Sequence, residues 1–552
     1  MKRNLIDSPI SMRNNVVLIS TGMYGQSEAF EEPGINSITS YLRKHEYDTK
    51  IELVLHEKLD IEKIKKFNPA LIGFSVYTDT YNSVKKLCKF LKKNLKESFI
   101  VLGGYVATYY SKEVLIDIED ADAVIVGEGE IPMLELANCI STNGSLDNVS
   151  NLVYRSDGSI IFTKRTELIS ELDSLPFAAR DIVTQYDPTE VWVSTSRGCT
   201  RNCAFCCSHD FWHTQQGHNW RGRSVKNIIE EISYLIDKHG VRQFEFIDNS
   251  LEDPYPYGDR LFAIAEAIIG NDLKIAFGAN MRAETFAKMK DEDIEFIKHA
   301  GFSYVFLGIE GFCDNSLRLY RKTANVLQNK MALKALSRHG IPVDIGFINF
   351  NPYSTFNDLE QNIKNLNEFG LAYLQYVLTF LYVFRGTPLY NKIKNDGLLY
   401  KDDGVEDCLC YRYVDTKVGI VAEYLMQVKG KIESSGVMEN SYFVVHFRKK
   451  CAQLMTILKK YDFYDSEMEQ VFNDINATIA YDINHINEAV SDWFLGIIEL
   501  GKTDFNISQA DELTTLMLNE MKNDHLAKLK AYKKILYGNA YKRFLRRNIQ
   551  IK

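Results

Sequence analysis

The chain of 552 residues is 45% hydrophobic and 25% charged, as in typical globular proteins, and at ~150 residues per domain it has room for about three or four domains. Its net charge of −8 argues against a general nucleic-acid binder, because such proteins are usually basic. Residues 1–15 lack the apolar core of a secretory signal. No run of eighteen uncharged apolar residues is present either, so we expect a cytoplasmic protein without a membrane span.

The first 140 residues alternate short apolar runs with helical stretches. This alternation predicts a doubly wound α/β domain, in which helices cover both faces of a parallel sheet. Such sheets bind ligands just beyond the carboxyl ends of their strands, where Ser75, Gly103-Gly104 and Gly127-Glu128 stand here. The runs that predict strands are residues 15–20, 50–55, 70–75, 99–103 and 123–126.

A second alternation begins near Val191, after a linker with a small hairpin. Six strand–helix units in about 200 residues predict an open or partial barrel of parallel strands. After about Lys401 helical spacing dominates. The last thirty residues are basic, which is typical of a solvated helix face and less often of a site for an acidic partner. The candidate barrel strands are residues 191–195, 244–248, 275–279, 304–309, 343–350 and 374–382.

Four of the ten cysteines fall within nine residues, directly after the strand predicted at 191–195. Cys199, Cys203 and Cys206 form a Cys-x3-Cys-x2-Cys segment, and thiolates of this kind suit iron–sulfur centres. Three ligands would hold three irons of a cubane cluster and leave the fourth open for substrate chemistry. Zinc is the competing reading, with further ligands among Cys207, His209, His213 and His218, but a zinc knuckle usually has a plain Cys-x2-Cys spacing rather than this three-cysteine pattern.

The segment resembles the signature of the radical S-adenosylmethionine (SAM) superfamily, Cys-x3-Cys-x-aromatic-Cys, with Phe205 at the aromatic position. The resemblance implies a [4Fe–4S] cluster held by Cys199, Cys203 and Cys206, whose open iron chelates SAM. It also implies reductive cleavage of SAM to a 5′-deoxyadenosyl radical and an external electron donor of the flavodoxin or ferredoxin type. Phe205 is then expected to contact the adenine through its backbone.

Polar residues at the ends of three candidate barrel strands resemble SAM-binding positions of the superfamily: Asp248, Asn249, Arg282 and Glu310. Glu310 lies in a Gly-Ile-Glu-Gly run that resembles the family's Gly-Ile-Glu-Ser strand. We expect Glu310 and Arg282 to make the main polar contacts to SAM. For each of them an ordinary salt bridge at a strand end is the alternative.

Residues 15–140 resemble the cobalamin-binding domain attached to one large branch of this superfamily. The match runs through Gly73-Phe-Ser75, Leu102-Gly-Gly104 and Asp122–Glu130. The loop Ser20–Glu28 contains no histidine, so we expect no protein imidazole on the cobalt. A doubly wound domain that binds no corrin is the alternative. The implied cobalamin contacts are Ser75, Tyr77, Thr78, Gly103, Gly104, Gly127 and Glu128.

The predicted fold class is therefore α/β, with four segments. Residues 1–145 form a Rossmann-like cobalamin-binding domain and 146–184 a linker. Residues 185–395 form a partial (β/α)6 radical SAM barrel, and 396–552 a helical C-terminal domain that is a candidate for substrate selection.

The predicted activity is methylation of an unactivated carbon, or less often phosphorus, of a small-molecule, peptide or lipid substrate. Cobalamin would carry a methyl group from one SAM while a second SAM generates the substrate radical. One alternative keeps the same cofactors but performs a cyclisation, ring contraction or other rearrangement without methylation. A non-enzymatic alternative is a cobalamin- or redox-sensing protein with a cluster.

Overall fold

The computed structural model describes residues 14–21, 31–54, 59–186, 190–254, 258–400, 410–464, 466–521 and 531. Its contacts divide the chain into two compact units. The first holds the described residues up to Arg201 together with Cys206–Ile232, and the second holds Asn202–Phe205 and the described residues from Ser233 onward. Most of the histidine-free loop, residues 22–28, and the basic stretch at the C-terminus lie outside the described residues.

The first unit is built on a seven-stranded sheet. Its strands are β1 (Asn15–Ser20), β2 (Asp48–Leu53), β3 (Leu71–Ser75), β4 (Phe99–Gly103), β5 (Ala123–Ile125), β6 (Leu152–Ser156) and β7 (Ser159–Phe162). The order is β2-β1-β3-β4-β5-β6-β7; the first five pair in parallel, and β6 and β7 join antiparallel. The five strands predicted in this region are confirmed. The hairpin expected in the linker extends the sheet instead of standing apart from it.

Helices cover both faces of this sheet. They are α1 (Pro33–Lys44), α2 (Ile61–Phe67), α3 (Tyr81–Asn94), α4 (Gly104–Tyr109), α5 (Ser111–Asp117) and α6 (Glu130–Ser141). Because successive side chains of a strand point to opposite faces, neighbouring strand residues enter different cores. Ile72 and Leu102 pack into one hydrophobic cluster, whereas Leu71 and Val101 pack into the other. The doubly wound architecture is therefore confirmed.

The segment that follows carries short elements around the cysteine cluster. They are α7 (Asp181–Tyr186), β8 (Val191–Val193), β9 (Ser196–Arg197), α8 (Cys207–Trp212), β10 (Arg221–Gly222) and α9 (Val225–His239). Strands β9 and β10 pair antiparallel, with Arg197 opposite Arg221. The cysteine segment is thus the loop between β9 and α8.

Four parallel strands organise the second unit, in the order β14-β13-β12-β11. Its elements up to the fourth strand are β11 (Gln243–Phe246), α10 (Asp259–Gly270), β12 (Ala276–Arg282), α11 (Ala283–Phe286), α12 (Asp291–Ala300), β13 (Phe302–Glu310), α13 (Asp314–Leu319), α14 (Val326–Arg338) and β14 (Val343–Phe347). Helices α15 (Phe356–Glu368), α16 (Leu374–Val377) and α17 (Pro388–Asn395) follow. The strands predicted from residue 244 to 350 are confirmed, with shifted ends.

The strand predicted at 374–382 is wrong. This segment forms helix α16 and then a single parallel bridge between Phe350 and Phe380. Two backbone hydrogen bonds remain at the bridge, from the Phe350 N–H to the Thr379 carbonyl and from the Leu381 N–H to the Phe350 carbonyl. Beside it, side chains take part instead: the Asn349 amide donates to the Val377 carbonyl (2.8 Å), and the Asn349 N–H donates to the Thr379 hydroxyl (3.1 Å). Local polar competition of this kind ends a strand that apolar patterning alone predicts to continue.

The C-terminal region is helical, as predicted. Its helices are α18 (Thr416–Ser434), α19 (Val437–Lys460), α20 (Ser466–Lys502) and α21 (Ile507–Glu520). Helix α19 packs on β12 and β13, where the Lys449 ammonium lies 3.0 Å from a Glu245 carboxylate oxygen and 4.5 Å from the centre of the Tyr304 ring. These helices therefore belong to the same compact unit as the four strands. In the described parts of the chain, no helix combines the length and apolar character that crossing a membrane requires.

Candidate functional site

Cys199, Cys203 and Cys206 occupy one loop and are all half-buried, and none of them is in a disulfide. The Arg201 N–H donates to the Cys199 sulfur at 3.4 Å, a contact that tunes the potential of cluster-bound thiolates. Cys207 is the first residue of α8, outside the loop. Three accessible soft donors fit a cubane cluster, so the donor set agrees with the [4Fe–4S] expectation.

The backbone of the loop is fixed at Ala204 within the second unit. The Ala204 N–H donates to the Tyr320 carbonyl, and the Leu389 N–H donates to the Ala204 carbonyl, both at 2.8 Å. The Phe205 ring meets the Tyr320 ring edge-on at 5.5 Å. Tyr320, which follows α13, and Leu389, at the start of α17, therefore hold the backbone next to Phe205, the aromatic residue of the signature.

Glu310 ends β13 in the left-handed region, with φ of +63°. Its carboxylate lies over Gly308 and Gly346, where a Cβ atom would come within 3.1–3.2 Å of the Glu310 oxygens. Glycine at both positions leaves room for this inward-turned carboxylate. The positive φ of a non-glycine residue costs ~1–3 kcal/mol and tends to occur at functional sites.

Lys322 faces Glu310 and was missed by sequence reasoning. Its ammonium lies 3.6 Å from a Glu310 oxygen, and the two side chains are 6% and 14% exposed. Among the described residues Glu310 is its one ion-pair partner, and 3.6 Å is too long for a hydrogen bond. Burial opposes its charge, but Glu310, Cys203 and Glu284 outweigh burial and raise the pKa of Lys322. A buried ammonium with spare donors indicates an anionic ligand.

The other predicted SAM residues differ in their surroundings. Arg282 is buried in an ion-pair cluster, with Asp253 at 2.6 Å and Glu252 at 3.1 Å. This is the salt bridge that was the alternative for Arg282. Asp248 is buried and its carbonyl accepts a hydrogen bond from the Asn280 amide at 2.9 Å, whereas Asn249 is exposed.

The predicted cobalamin residues follow the carboxyl ends of β3, β4 and β5, and Ser75 of β3 is the register partner of Gly103 of β4. Gly104 has φ of +90°, and a Cβ there would come 2.9 Å from the Ser75 hydroxyl, so this position requires glycine. At Gly103 a Cβ would meet nothing closer than 3.8 Å. Both glycines are half-buried and carry no side chain, so a flat ligand can approach their backbone closely. We call Gly103-Gly104 the open turn.

Tyr77 and Thr78 follow this turn and are half-buried. The Tyr77 N–H donates to the Thr80 hydroxyl at 3.1 Å, which fixes the backbone ahead of α3. Burial, with a smaller effect of Glu32, raises the pKa of Tyr77 to about 12, so its phenol stays neutral at physiological pH. Tyr77 thus offers a neutral hydroxyl at the edge of the open turn.

Glu128 is held differently from the other predicted cobalamin residues. One carboxylate oxygen contacts Arg197 at 2.7 Å and Arg221 at 2.9 Å, and the other accepts the Ile169 N–H at 2.8 Å. Its side chain is therefore engaged by the segments around the cysteine loop. The preceding Gly127 N–H donates to the Thr108 hydroxyl at 3.1 Å.

Among the residues that the structure describes, His209, Asp210 and His213 also have metal-ligand chemistry, since their ligand atoms lie within 4.8 Å of one another. The group contains none of the loop cysteines. Hydrogen bonds within the chain already engage the His213 ring, since Nδ1 lies 2.7 Å from the His209 carbonyl and Nε2 lies 2.7 Å from the Asn219 amide. We therefore assign no metal to it.

Two family models match the chain in the places that this geometry indicates. The B12 binding domain model matches residues 28–137, and the Radical SAM superfamily model matches residues 193–366. An uncharacterized methyltransferase of Pyrococcus horikoshii is 30% identical over 376 residues, an alignment that covers 66% of this chain and 79% of that protein. The chain belongs to the radical SAM superfamily, in the branch with a B12-binding domain.

Other relatives of this radical SAM protein extend the comparison. The anaerobic magnesium-protoporphyrin IX monomethyl ester cyclase of Cereibacter sphaeroides is 27% identical over 335 residues, which cover 59% of this chain and 53% of the cyclase. The cobalamin-dependent SAM radical enzyme OxsB, solved with aqua-cobalamin and SAM bound, superposes with a TM-score of 0.67 at 18% identity, over 97% of this chain and 83% of that one. At this identity the superposition shows a shared fold. The predicted fold class and the three cofactors, a [4Fe–4S] cluster, SAM and cobalamin, are confirmed.

Proposed function

We propose that this protein is a cobalamin-dependent radical SAM methyltransferase that acts on an unactivated carbon, or on phosphorus, of a natural-product, peptide or lipid substrate. The observation that carries the proposal is the union in one chain of a three-thiol loop and an open glycine turn on a B12-binding domain. The relative from Pyrococcus horikoshii is a methyltransferase by name, whereas the chain spans about half the length of the cyclase.

Cys199, Cys203 and Cys206 would hold the cluster, and Phe205 would receive the adenine of SAM. Lys322 and Glu310 present opposite charges, and Cys203 acts electrostatically on Lys322. We therefore assign the Lys322 ammonium to the carboxylate of SAM and the Glu310 carboxylate to the cationic or hydroxyl groups of SAM. Arg282, within its acidic cluster, would support the end of β12, and Asp248 and Asn249 would line the neighbouring strand end.

The B12-binding domain would hold cobalamin at the open turn, with Glu128 contributing through its backbone. When bound, the cofactors supply electron transfer, radical generation and methyl carriage, and the protein supplies orientation and exclusion of water. An external flavodoxin- or ferredoxin-type protein would deliver the electron. The residues assigned to cobalamin are Ser75, Tyr77, Thr78, Gly103, Gly104, Gly127 and Glu128.

The test is anaerobic incubation of the reconstituted full chain with SAM and a chemical reductant, with and without cobalamin. The proposal predicts S-adenosylhomocysteine only in the cobalamin-loaded chain and 5′-deoxyadenosine in both samples. If 5′-deoxyadenosine formed without S-adenosylhomocysteine in both samples, a cyclisation or rearrangement would replace methylation. The cyclase relative is what favours that second candidate. Absence of both products would favour a sensor.

A further inference from the structure

The two ends of the cysteine loop are both attached to the turns of the B12-binding domain, within the first unit. Arg197 stands two residues before Cys199, and Cys207 directly follows Cys206. Arg197 contacts Glu128 in the turn after β5, and Cys207 contacts Tyr109 in helix α4, which begins at Gly104. Both turns are assigned to cobalamin.

The first attachment is a buried ion-pair network. Arg197 contacts Glu128 at 2.7 Å and Glu130 at 2.5 Å, and it contacts the Ser37 hydroxyl at 3.2 Å. Arg221, opposite Arg197 on β10, shares the same Glu128 oxygen. The two guanidinium groups balance the two carboxylates. Removing one member of such a network leaves a buried charge without its partner, which is strongly destabilising.

The Glu130 carboxylate of this network stays ionised at neutral pH. Burial opposes ionisation of Glu130, but Arg197 and the Ser37 hydroxyl outweigh burial and hold its pKa below the ordinary value. The Glu128 N–H also donates to the Gln215 side chain at 2.8 Å, so the Gly127-Glu128 turn is bound on its backbone and on its side chain. This turn therefore has little freedom to move without the start of the cysteine loop.

The second attachment is helix α4. It begins at Gly104, in the open turn, and ends at Tyr109, whose hydroxyl donates to the Cys207 carbonyl. The Tyr105 ring lies 4.5 Å from the Phe211 ring of α8, and Phe211, Trp212 and Leu168 form a small apolar cluster around this contact. A six-residue helix thus joins the turn beside Ser75 to the residue after the last cluster cysteine.

We propose that Glu128 and Tyr109 are positioning residues that couple cobalamin binding to the geometry of the cluster loop. This inference rests on the proposed function for the identity of the two cofactors. A ligand that orders the glycine turns also orders both ends of the cysteine loop, and the reverse holds because coupling between two binding sites is reciprocal. Cobalamin should therefore bind more tightly, by about fivefold or more, when the cluster is assembled, since couplings of this kind are typically ~5–150-fold.

The experiment titrates hydroxocobalamin, followed by absorbance, into the full chain with its cluster and into the same chain without it. The wild type should show about fivefold or greater tightening with the cluster. Y109F should reduce this factor toward one while the affinity of the cluster-free chain changes little, and E128Q should also reduce the factor. The reduction potential of the cluster, measured with and without cobalamin, should shift on cobalamin binding in the wild type and much less in Y109F.

Two matched controls use polar groups of the first unit that contact neither the cysteine loop nor the glycine turns. Y154F removes a hydroxyl bound to Asp147, and E135Q alters a carboxylate bound to Ser150; both should keep the wild-type factor. If E128Q does not fold, the coupling is still tested by the wild type with and without its cluster and by Y109F. Equal cobalamin affinities with and without the cluster, or full coupling in Y109F, would overturn the coupling alone. A chain that bound no cobalamin would overturn the proposed function as well.

Discussion

At the residue scale, the adjacent Cys206 and Cys207 show how backbone geometry separates two chemically identical side chains. Cys206 has extended backbone angles at the end of the loop, whereas Cys207 begins α8 and its carbonyl accepts the Tyr109 hydroxyl. Neighbouring residues at such a junction direct their side chains apart. We therefore assign the thiol of Cys206, and not that of Cys207, to the cluster.

This assignment predicts different outcomes for two alanine variants. C206A, purified without oxygen, should lose the cluster and SAM cleavage, while C207A should retain about four iron and four sulfide per chain, the content of one cubane. Iron and sulfide analysis of both variants is the measurement. A cluster that survives in C206A and is lost in C207A would reverse the assignment.

A second prediction at the residue scale concerns the contribution of Lys322 to SAM binding. K322M should weaken SAM binding by about tenfold or more, because hydrogen bonds to charged groups contribute ~1.5–3 kcal/mol. Equilibrium dialysis with SAM and with its decarboxylated analogue distinguishes the contribution of the carboxylate to binding from that of the rest of the ligand. K322M should weaken the binding of SAM but not that of the analogue. K330M is the control, since Lys330 pairs with Glu368 between α14 and α15. Equal weakening of both ligands would contradict a carboxylate contact.

Sequence patterns predicted which polar residues lie at strand ends, but they did not predict the residues that those side chains contact in the fold. Glu310 is visible as the last residue of a Gly-Ile-Glu run. Lys322 follows α13 after a left-handed Arg321, in a turn with no motif, and only the tertiary fold brings it to Glu310. In the same way, the acidic partners of Arg282 come from the segment after β11, which nothing in the spacing links to β12.

At the element scale, apolar periodicity found the parallel strands well because both faces of these sheets are buried, which gives near-continuous apolar runs. It failed at 374–382 because the deciding groups are polar: next to a single bridge with two backbone bonds, the Asn349 and Thr379 side chains make hydrogen bonds between the two segments. It also left open where the C-terminal helices pack. Helical spacing identifies an apolar face, but it does not identify the strands β12 and β13 that α19 covers.

The Lys460 ammonium, at the end of α19, should make the stability of the folded chain depend on pH. Its ammonium donates to the Ala300 carbonyl at 2.9 Å, and burial, partly offset by Asp272, lowers its pKa to about 8. Between this value and the ordinary value of 10.5, the unfolded chain binds a proton that the folded chain does not, so the group's contribution to stability rises with pH.

The melting temperature of the wild type relative to K460M should therefore increase as the pH is raised from about 7 to about 10, since the variant lacks this titration. Thermal unfolding of both chains across this range is the measurement. A difference that stays constant, or that falls with rising pH, would contradict the assigned pKa direction.

At the scale of the whole molecule, two cofactor modules precede a helical region that neither family model covers, since the matches end at residue 366. The modules were predictable because their chemistry is concentrated in short segments, a three-thiol loop and glycine turns at strand ends. The substrate could not be predicted from the sequence, because substrate selection depends on the tertiary placement of side chains from many elements.

The most direct test of the central claim is product analysis with SAM that carries a trideuterated methyl group, using the cobalamin-loaded chain and a candidate substrate. Methylation predicts one labelled methyl group per product molecule, with one S-adenosylhomocysteine and one 5′-deoxyadenosine formed per turnover. A product of unchanged carbon count, free of deuterium and accompanied by 5′-deoxyadenosine without S-adenosylhomocysteine, would contradict the account.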